Sequence, residues 1–152
     1  MARTIIGVIG GSTATKGQLE AAYKVGSLLA AHQAVLVCGG MGGVMEAACR
    51  GAKAEAGLTV GILPTAERSQ ANRYVDVAIA TGMGEARNLA IVRTADVLIA
   101  IGGSFGTLSE IGFALKMGKK VIGLRTWNIE GVVSAETADS ALALAGLKLA
   151  DS

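Results

Sequence analysis

The sequence predicts an α/β protein, a Rossmann-like three-layer α/β/α sandwich around a mainly parallel sheet of six or seven strands. Short apolar runs alternate along the chain with longer helix-like segments, as in parallel sheets that helices cover on both faces. Glycine pairs follow three of these runs, at the sheet edge where such folds bind ligands. A length of 152 residues fits one domain, expected to span positions 1–152 and to bind a nucleotide or phosphate.

Six apolar runs have the length of buried parallel strands, and five segments between or after them are predicted helices. The predicted strands are Thr4–Ile9, Ala34–Cys38, Thr59–Leu63, Val75–Ile79, Asp96–Ile101 and Lys120–Leu124. The predicted helices are Thr15–Ala31, Gly43–Ala56, Glu85–Thr94, Thr107–Met117 and Ser134–Ala145. The polar stretch Pro64–Arg73 is interpreted as a surface loop that borders the ligand. We expect Asp96–Ile101 to lie beside Thr4–Ile9, because only neighbouring strands bring their glycine turns to one ligand.

Composition argues against several classes of function. Hydrophobic residues make up 51% of the chain and charged residues 17%, which excludes intrinsic disorder. A net charge of +2 and an aromatic content of 3% argue against a nucleic-acid partner. No metal site is predicted, since His32 is the only histidine and the two cysteines, Cys38 and Cys49, lack metal-ligand spacing.

The same composition predicts where the protein resides and how it assembles. No apolar run reaches the roughly 18 residues of a membrane span, and no signal peptide is evident, so we expect a cytoplasmic protein without a membrane partner. The helices are rich in Ala, Gly and Leu and carry few charges. Their exposed apolar surface predicts a homodimer or homotetramer.

The glycine pairs Gly10–Gly11, Gly39–Gly40 and Gly102–Gly103 each end a predicted strand. Glycine lets the backbone approach a ligand closely, and a helix that begins after such a turn offers unpaired N–H groups and a positive dipole end. Together these features suit a phosphate group. The segment Gly102–Thr107 is the best instance, and we expect Glu110 to lie in the first turn of the helix that follows. Tight strand–helix turns also need glycine for structural reasons alone, but three such turns favour a ligand site.

Two common nucleotide-binding motifs are absent from the sequence. No G-x-G-x-x-G follows the first strand, and no acidic residue ends the second strand to hold a ribose hydroxyl. The G-x-x-x-x-G-K-[ST] motif of P-loop proteins is missing as well. A dinucleotide-dependent enzyme and a P-loop triphosphatase are therefore disfavoured.

Two segments resemble the signatures of the Lonely Guy family, long mislabelled lysine decarboxylase, which hydrolyses cytokinin riboside monophosphates. Cys38–Ala47 resembles the family's G-G-G-x-x-G-x-M-x-A, and Ile101–Glu110 resembles P-G-G-x-G-T-x-x-E with one more residue between the glycines. Arg87 resembles the arginine that precedes the second signature. Gly84–Asn88 is closer to the branch that includes molybdenum cofactor carrier proteins, because Asn88 replaces a lysine of the hydrolases.

The resemblance implies one pocket and favours two functions, with a structural or regulatory nucleotide sensor as a less favoured third. A carrier would bind the molybdenum cofactor with no catalytic group, whereas a hydrolase would cleave a nucleoside monophosphate with Glu110 and Arg87 as catalytic residues. No cofactor is required in either case, and the partner is a small phosphate-bearing molecule. The predicted ligand-binding residues are Gly10, Gly11, Ser12, Gly39, Gly40, Met41, Gly42, Asn88, Gly102, Gly103, Ser104, Phe105, Gly106 and Thr107.

Overall fold

The computed structural model describes residues 3–147, which form a sheet of seven parallel strands in the order β4-β3-β2-β1-β5-β6-β7. The strands are β1 (Ile5–Gly10), β2 (Val35–Cys38), β3 (Thr59–Leu63), β4 (Val77–Ala80), β5 (Val97–Ile101), β6 (Lys120–Leu124) and β7 (Val133–Ala135). The helices are α1 (Lys16–Ala31), α2 (Val44–Ala54), α3 (Asn88–Thr94), α4 (Phe105–Lys116) and α5 (Ala138–Leu144). The predicted α/β Rossmann-like fold is confirmed.

Strands β1 and β5 are neighbours, as predicted from their glycine turns. They pair in parallel with Gly7 opposite Leu98 and Gly10 opposite Ile101. The chain runs outward in one direction from β1 to β4 and in the other from β5 to β7. The order therefore reverses between β1 and β5, and the carboxyl ends of these strands open a crevice.

Two apolar layers cover the sheet, and successive strand residues point alternately into one and the other. Helices α1, α2 and α5 pack with Val8 and Ile101 on one face. Helices α3 and α4 pack with Ile9 and Ala100 on the opposite face. Because Ile9 and Gly10 end β1 while Ile101 ends β5, both layers meet the crevice that these strands form.

Three predicted helix boundaries are wrong. Ser134 lies in the three-residue strand β7, and α5 begins only after Thr137, whose hydroxyl accepts a hydrogen bond from the Ser140 backbone N–H. A 3₁₀ turn at Gly84–Arg87 precedes α3, where a continuous helix from Glu85 was expected. Helix α4 begins at Phe105, because Gly103 and Ser104 complete the turn after β5.

No helix within residues 3–147 is both long enough and apolar enough to cross a membrane.

Candidate functional site

A cleft of about 380 Å³ lies at the carboxyl ends of β1 and β2, beneath the first turns of α3 and α4. This size falls within the range of pockets that hold cofactors and other small molecules. Most of the predicted site residues come together in its walls: Gly10, Gly11, Ser12, Gly39, Met41, Arg87, Asn88, Ser104, Gly106, Thr107 and Glu110. The glycine turns after β1 and β2 and the first turns of α3 and α4 thus face one space. That these residues bind a ligand stays a prediction.

The other predicted residues lie outside this cleft. Gly40 has φ +76° and packs against Gly61 and Leu63 of β3, and Gly42 does not line the cleft. Gly102 donates its N–H to the Leu124 carbonyl at 3.1 Å and contacts the Gln18 side chain. These residues shape the turns that carry the cleft walls.

Gly103 and Phe105 also lie outside the cleft. Gly103 has φ +99°, and a Cβ there would lie 2.2 Å from the Thr107 hydroxyl. Phe105 is 75% exposed, and its ring centroid lies 6.0 Å from that of Trp127 on the outer side of the turn. The indole N–H of Trp127 donates to the Ser104 carbonyl at 3.1 Å and so holds the turn in place.

The amino-terminal end of α4 opens onto the cleft. Its N-cap residue, Ser104, makes no side-chain hydrogen bond to the helix, so the first N–H groups have no capping partner. A Cβ on Gly106 would meet no atom within 4 Å, so nothing obstructs the approach to this turn. Thr107 is buried in the third position of the helix and does not cap it, contrary to the expected helix start. Unpaired N–H groups and the helix dipole make this end attractive to an anion.

Glu110 lies in the second turn of α4, not the first, because the helix begins two residues earlier than predicted. Its side chain lines the cleft although the residue is only 7% exposed. Burial raises the pKa of the Glu110 carboxyl to about 8, against the opposing effect of the Arg87 charge. At neutral pH this group is therefore mostly protonated.

Arg87 approaches the cleft from the 3₁₀ turn before α3. Its Nε donates to the Ile62 carbonyl at 3.1 Å, and its Nη1 donates to the Asn88 Oδ1. Its Nη2 lies close to Gly39, where a Cβ would come within 2.8 Å. Burial lowers the pKa of this guanidinium, while the nearby Glu110 carboxyl raises it. Asn88 is 5% exposed and its side chain fixes the orientation of the cation.

Six further residues line the cleft that were not among the predicted site residues: Val8, Ile9, Met45, Pro64, Glu85 and Ile91. Pro64 begins the loop Pro64–Arg73, which was expected from the sequence to border the ligand. Glu85 is exposed at the mouth, on the same 3₁₀ turn as Arg87. Val8, Ile9 and Ile91 form an apolar floor, and nothing in the sequence distinguishes them from other core residues. Across residues 3–147, no three or more His, Cys, Asp or Glu side chains are placed to hold a metal ion.

Comparisons with known proteins show what the chain is similar to. An uncharacterized protein from Archaeoglobus fulgidus is 47% identical over 138 residues, which cover 90% of this chain and 91% of that protein. The molybdenum cofactor binding protein from the phototrophic bacterium Rippkaea orientalis is 40% identical, with a TM-score of 0.92 over 96% of this chain and 97% of that chain. The molybdenum cofactor carrier protein of Chlamydomonas reinhardtii is 33% identical, with a TM-score of 0.85 over 95% and 97% of the two chains.

These similarities confirm the predicted resemblance to the group that includes molybdenum cofactor carrier proteins. The SLOG cluster4 family model matches residues 3–148, nearly the whole sequence. The chain belongs to the SLOG cluster4 family.

Proposed function

We propose that this protein is a carrier that binds the molybdenum cofactor, or a closely related phosphate-bearing molecule, in the cleft between α3 and α4. The observation that carries the proposal is a cleft with an uncapped helix end in a chain that is 40% identical to a molybdenum cofactor binding protein. The similarity covers 96% of the chain.

The phosphate group of the ligand would lie at the start of α4. The N–H groups of Phe105, Gly106 and Thr107 belong to the first turn, which has no side-chain cap. Gly106 keeps this turn open to an approaching ligand. Backbone N–H groups together with the helix dipole hold a phosphate without any cationic side chain.

The rest of the ligand would extend toward β2 and α3. Met41 and Met45 line this part of the cleft, and methionine side chains adapt to flat or irregular ligands. Asn88 and Ser104 supply neutral polar groups, and Arg87 supplies one positive charge. This donor-rich, mostly neutral lining fits an anionic molecule with several oxygen atoms.

A second candidate function is hydrolysis of a nucleoside 5′-monophosphate to the free base and ribose 5-phosphate. It is favoured by the presence of both Arg87 and Glu110 in the same cleft. A carboxylate would stabilise the positive charge that develops on the sugar in the transition state. The raised pKa of Glu110 weighs against this function, because a neutral acid supplies no such charge at neutral pH.

One pair of experiments separates the two functions. Purified protein is incubated with AMP and other nucleoside monophosphates, with chromatography to detect free base and thermal melting to detect binding. We expect AMP to raise the melting temperature without release of adenine. Release of adenine that disappears in Glu110→Gln would refute the carrier and establish a phosphoribohydrolase.

The cargo is tested on protein purified from a host that makes the molybdenum cofactor. Elemental analysis for molybdenum and pterin fluorescence after denaturation and oxidation should both show ligand with the wild-type protein. Gly106→Ala should carry several-fold less, and Gly112→Ala, on the same helix but outside the cleft, should carry the wild-type amount. Equal loading of all three proteins would contradict binding at the start of α4.

We also propose that the protein is a homodimer or homotetramer whose interface buries the exposed apolar side chains of β4. This strand lies at the edge of the sheet, and Val77 and Ile79 are 47% and 46% exposed. Met83, which follows the strand, is 61% exposed. Apolar side chains grouped on an open sheet edge favour association with another copy.

A further inference from the structure

The Glu110 carboxyl is buried in the cleft wall without a partner. It is 7% exposed, and it makes neither a hydrogen bond nor an ion pair with any side chain among residues 3–147. No polar side-chain atom in this part of the chain is both fully buried and unpaired, so the carboxyl oxygens must reach the cleft surface. An unpaired acid that faces an anion-binding site needs an explanation, because a charged form would repel the ligand.

The groups that face Glu110 do not neutralise it. Arg87, from the 3₁₀ turn, is the nearby cation, but its N–H groups are directed to Ile62 and Asn88 and it lies beyond ion-pair distance of the acid. From β2, the fully buried Cys38 faces the same region. Glu85, at the mouth, adds a second acid and no positive charge.

We propose that Glu110 binds the ligand as a neutral carboxylic acid, whose hydroxyl donates a hydrogen bond to an oxygen atom of an anionic ligand. This inference rests on the proposed function, since it concerns how the same cleft holds its ligand. It defines the ligand class more narrowly, because the group that reaches Glu110 must present an acceptor oxygen, such as a phosphate or an oxo-metal oxygen.

Chemistry and geometry support the neutral form. A protonated carboxyl is a hydrogen-bond donor, whereas a carboxylate can only accept hydrogen bonds. A carboxylate at this position would also repel the anionic ligand that the α4 N–H groups attract. The pKa of about 8 means that the acid is mostly protonated at neutral pH. An anionic ligand raises this pKa further, because negative charge nearby disfavours the carboxylate. Above that pH, binding must take up one proton from solvent.

The test measures affinity and proton uptake with a probe of constant charge. Isothermal titration with molybdate, a dianion throughout this range, is carried out from about pH 6 to about pH 10 in two buffers of different ionisation enthalpy. For the wild type, the affinity should be constant below the pKa of about 8 and then fall by up to tenfold per pH unit. Proton uptake should approach one per bound molybdate above pH 9 or so.

Variants assign this behaviour to one residue. Glu110→Gln has a similar shape and cannot ionise, so its affinity should vary less than about twofold over the same range and its proton uptake should vanish. Glu85→Gln, a matched change at the mouth of the same cleft, should keep the wild-type pH dependence. Thermal melting of each variant verifies that the fold is intact.

The outcomes separate this inference from the proposed function. Affinity that increases with pH, or pH dependence that persists in Glu110→Gln, would refute the neutral acid while leaving the carrier function in place. Loss of the pH dependence in Glu85→Gln would refute the neutral acid as well. Failure of the wild type to bind either molybdate or AMP at any pH would refute the proposed function, and the neutral acid with it.

Discussion

Gly106→Ala tests the phosphate position with little risk to the fold. Gly106 is the second residue of α4, it has an ordinary helical conformation, and a Cβ there would meet no atom within 4 Å. Replacing glycine by alanine inside a helix stabilises it by up to about 1 kcal/mol, and less near the helix end. In a chain of this size that corresponds to an increase in melting temperature of about 1–3 °C.

The same methyl group should weaken ligand binding. It extends from the turn whose N–H groups are expected to hold the phosphate, and loss of one charge-assisted hydrogen bond costs about 1.5–3 kcal/mol. We therefore expect the dissociation constant for AMP or inorganic phosphate to rise at least about tenfold, measured by titration calorimetry. Gly112→Ala is the matched control, because it adds a methyl group to open space on the same helix away from the cleft. Unchanged affinity in Gly106→Ala would refute a phosphate site at the start of α4.

Three further predictions concern stability and assembly. Gly26→Ala should destabilise the fold by about 3 kcal/mol or more in urea titrations, because the new Cβ would lie 1.9 Å from the Ala48 carbonyl where α1 crosses α2; a loss below about 1 kcal/mol would contradict this packing. Asp76 is an exposed residue whose limited desolvation opposes ionisation, but the hydrogen bond from Lys53 and bonds from Thr59 hold its pKa below the usual value. The contribution of this carboxylate to the free energy of unfolding should be present above about pH 4 and lost as pH falls through the lowered pKa, and Asp76→Asn should lack it at every pH. Equal acid sensitivity of the two proteins would refute this prediction. Ile79→Lys on the exposed edge strand should yield a monomer by light scattering, and an unaltered oligomer would exclude β4 from the interface.

The sheet was predictable because its interior strands are short, apolar and rich in β-branched residues. Thr59–Leu63 and Lys120–Leu124 begin and end where the sequence placed them. The same criteria missed β7, since a strand of three residues, of which only Ala135 is buried, is too short to show an apolar period. Its only sequence signal is indirect: Thr137 and Ser140 have the spacing of a capping box, which marks a helix start after Ser134 rather than before it.

The composition of the site was more predictable than its electrostatics. The glycine turns and the family resemblance placed Arg87, Asn88 and Glu110 near one ligand, and the structure brings all three into one cleft. The sequence does not reveal that Glu110 is buried beyond ion-pair distance of Arg87, because this depends on the distance between the 3₁₀ turn at Gly84–Arg87 and α4. Nor does it reveal that Gly102 and Gly103 turn away from the cleft, since positive φ serves a tight turn as well as a ligand contact.

Asn88 connects the sequence comparison with the chemistry of Glu110. The hydrolases that the sequence resembles carry a lysine at this position, and a lysine in the same cleft as Glu110 would favour the carboxylate that glycosidic cleavage requires. Asn88 is neutral, and its Oδ1 accepts a hydrogen bond from Arg87, so it also holds the nearby cation away from ion-pair contact with the acid. Burial raises the pKa of the Glu110 carboxyl, and the neutral Asn88 adds no positive charge that would oppose this effect. A neutral residue at position 88 is therefore consistent with the proposed carrier function, in which the cleft retains an anion.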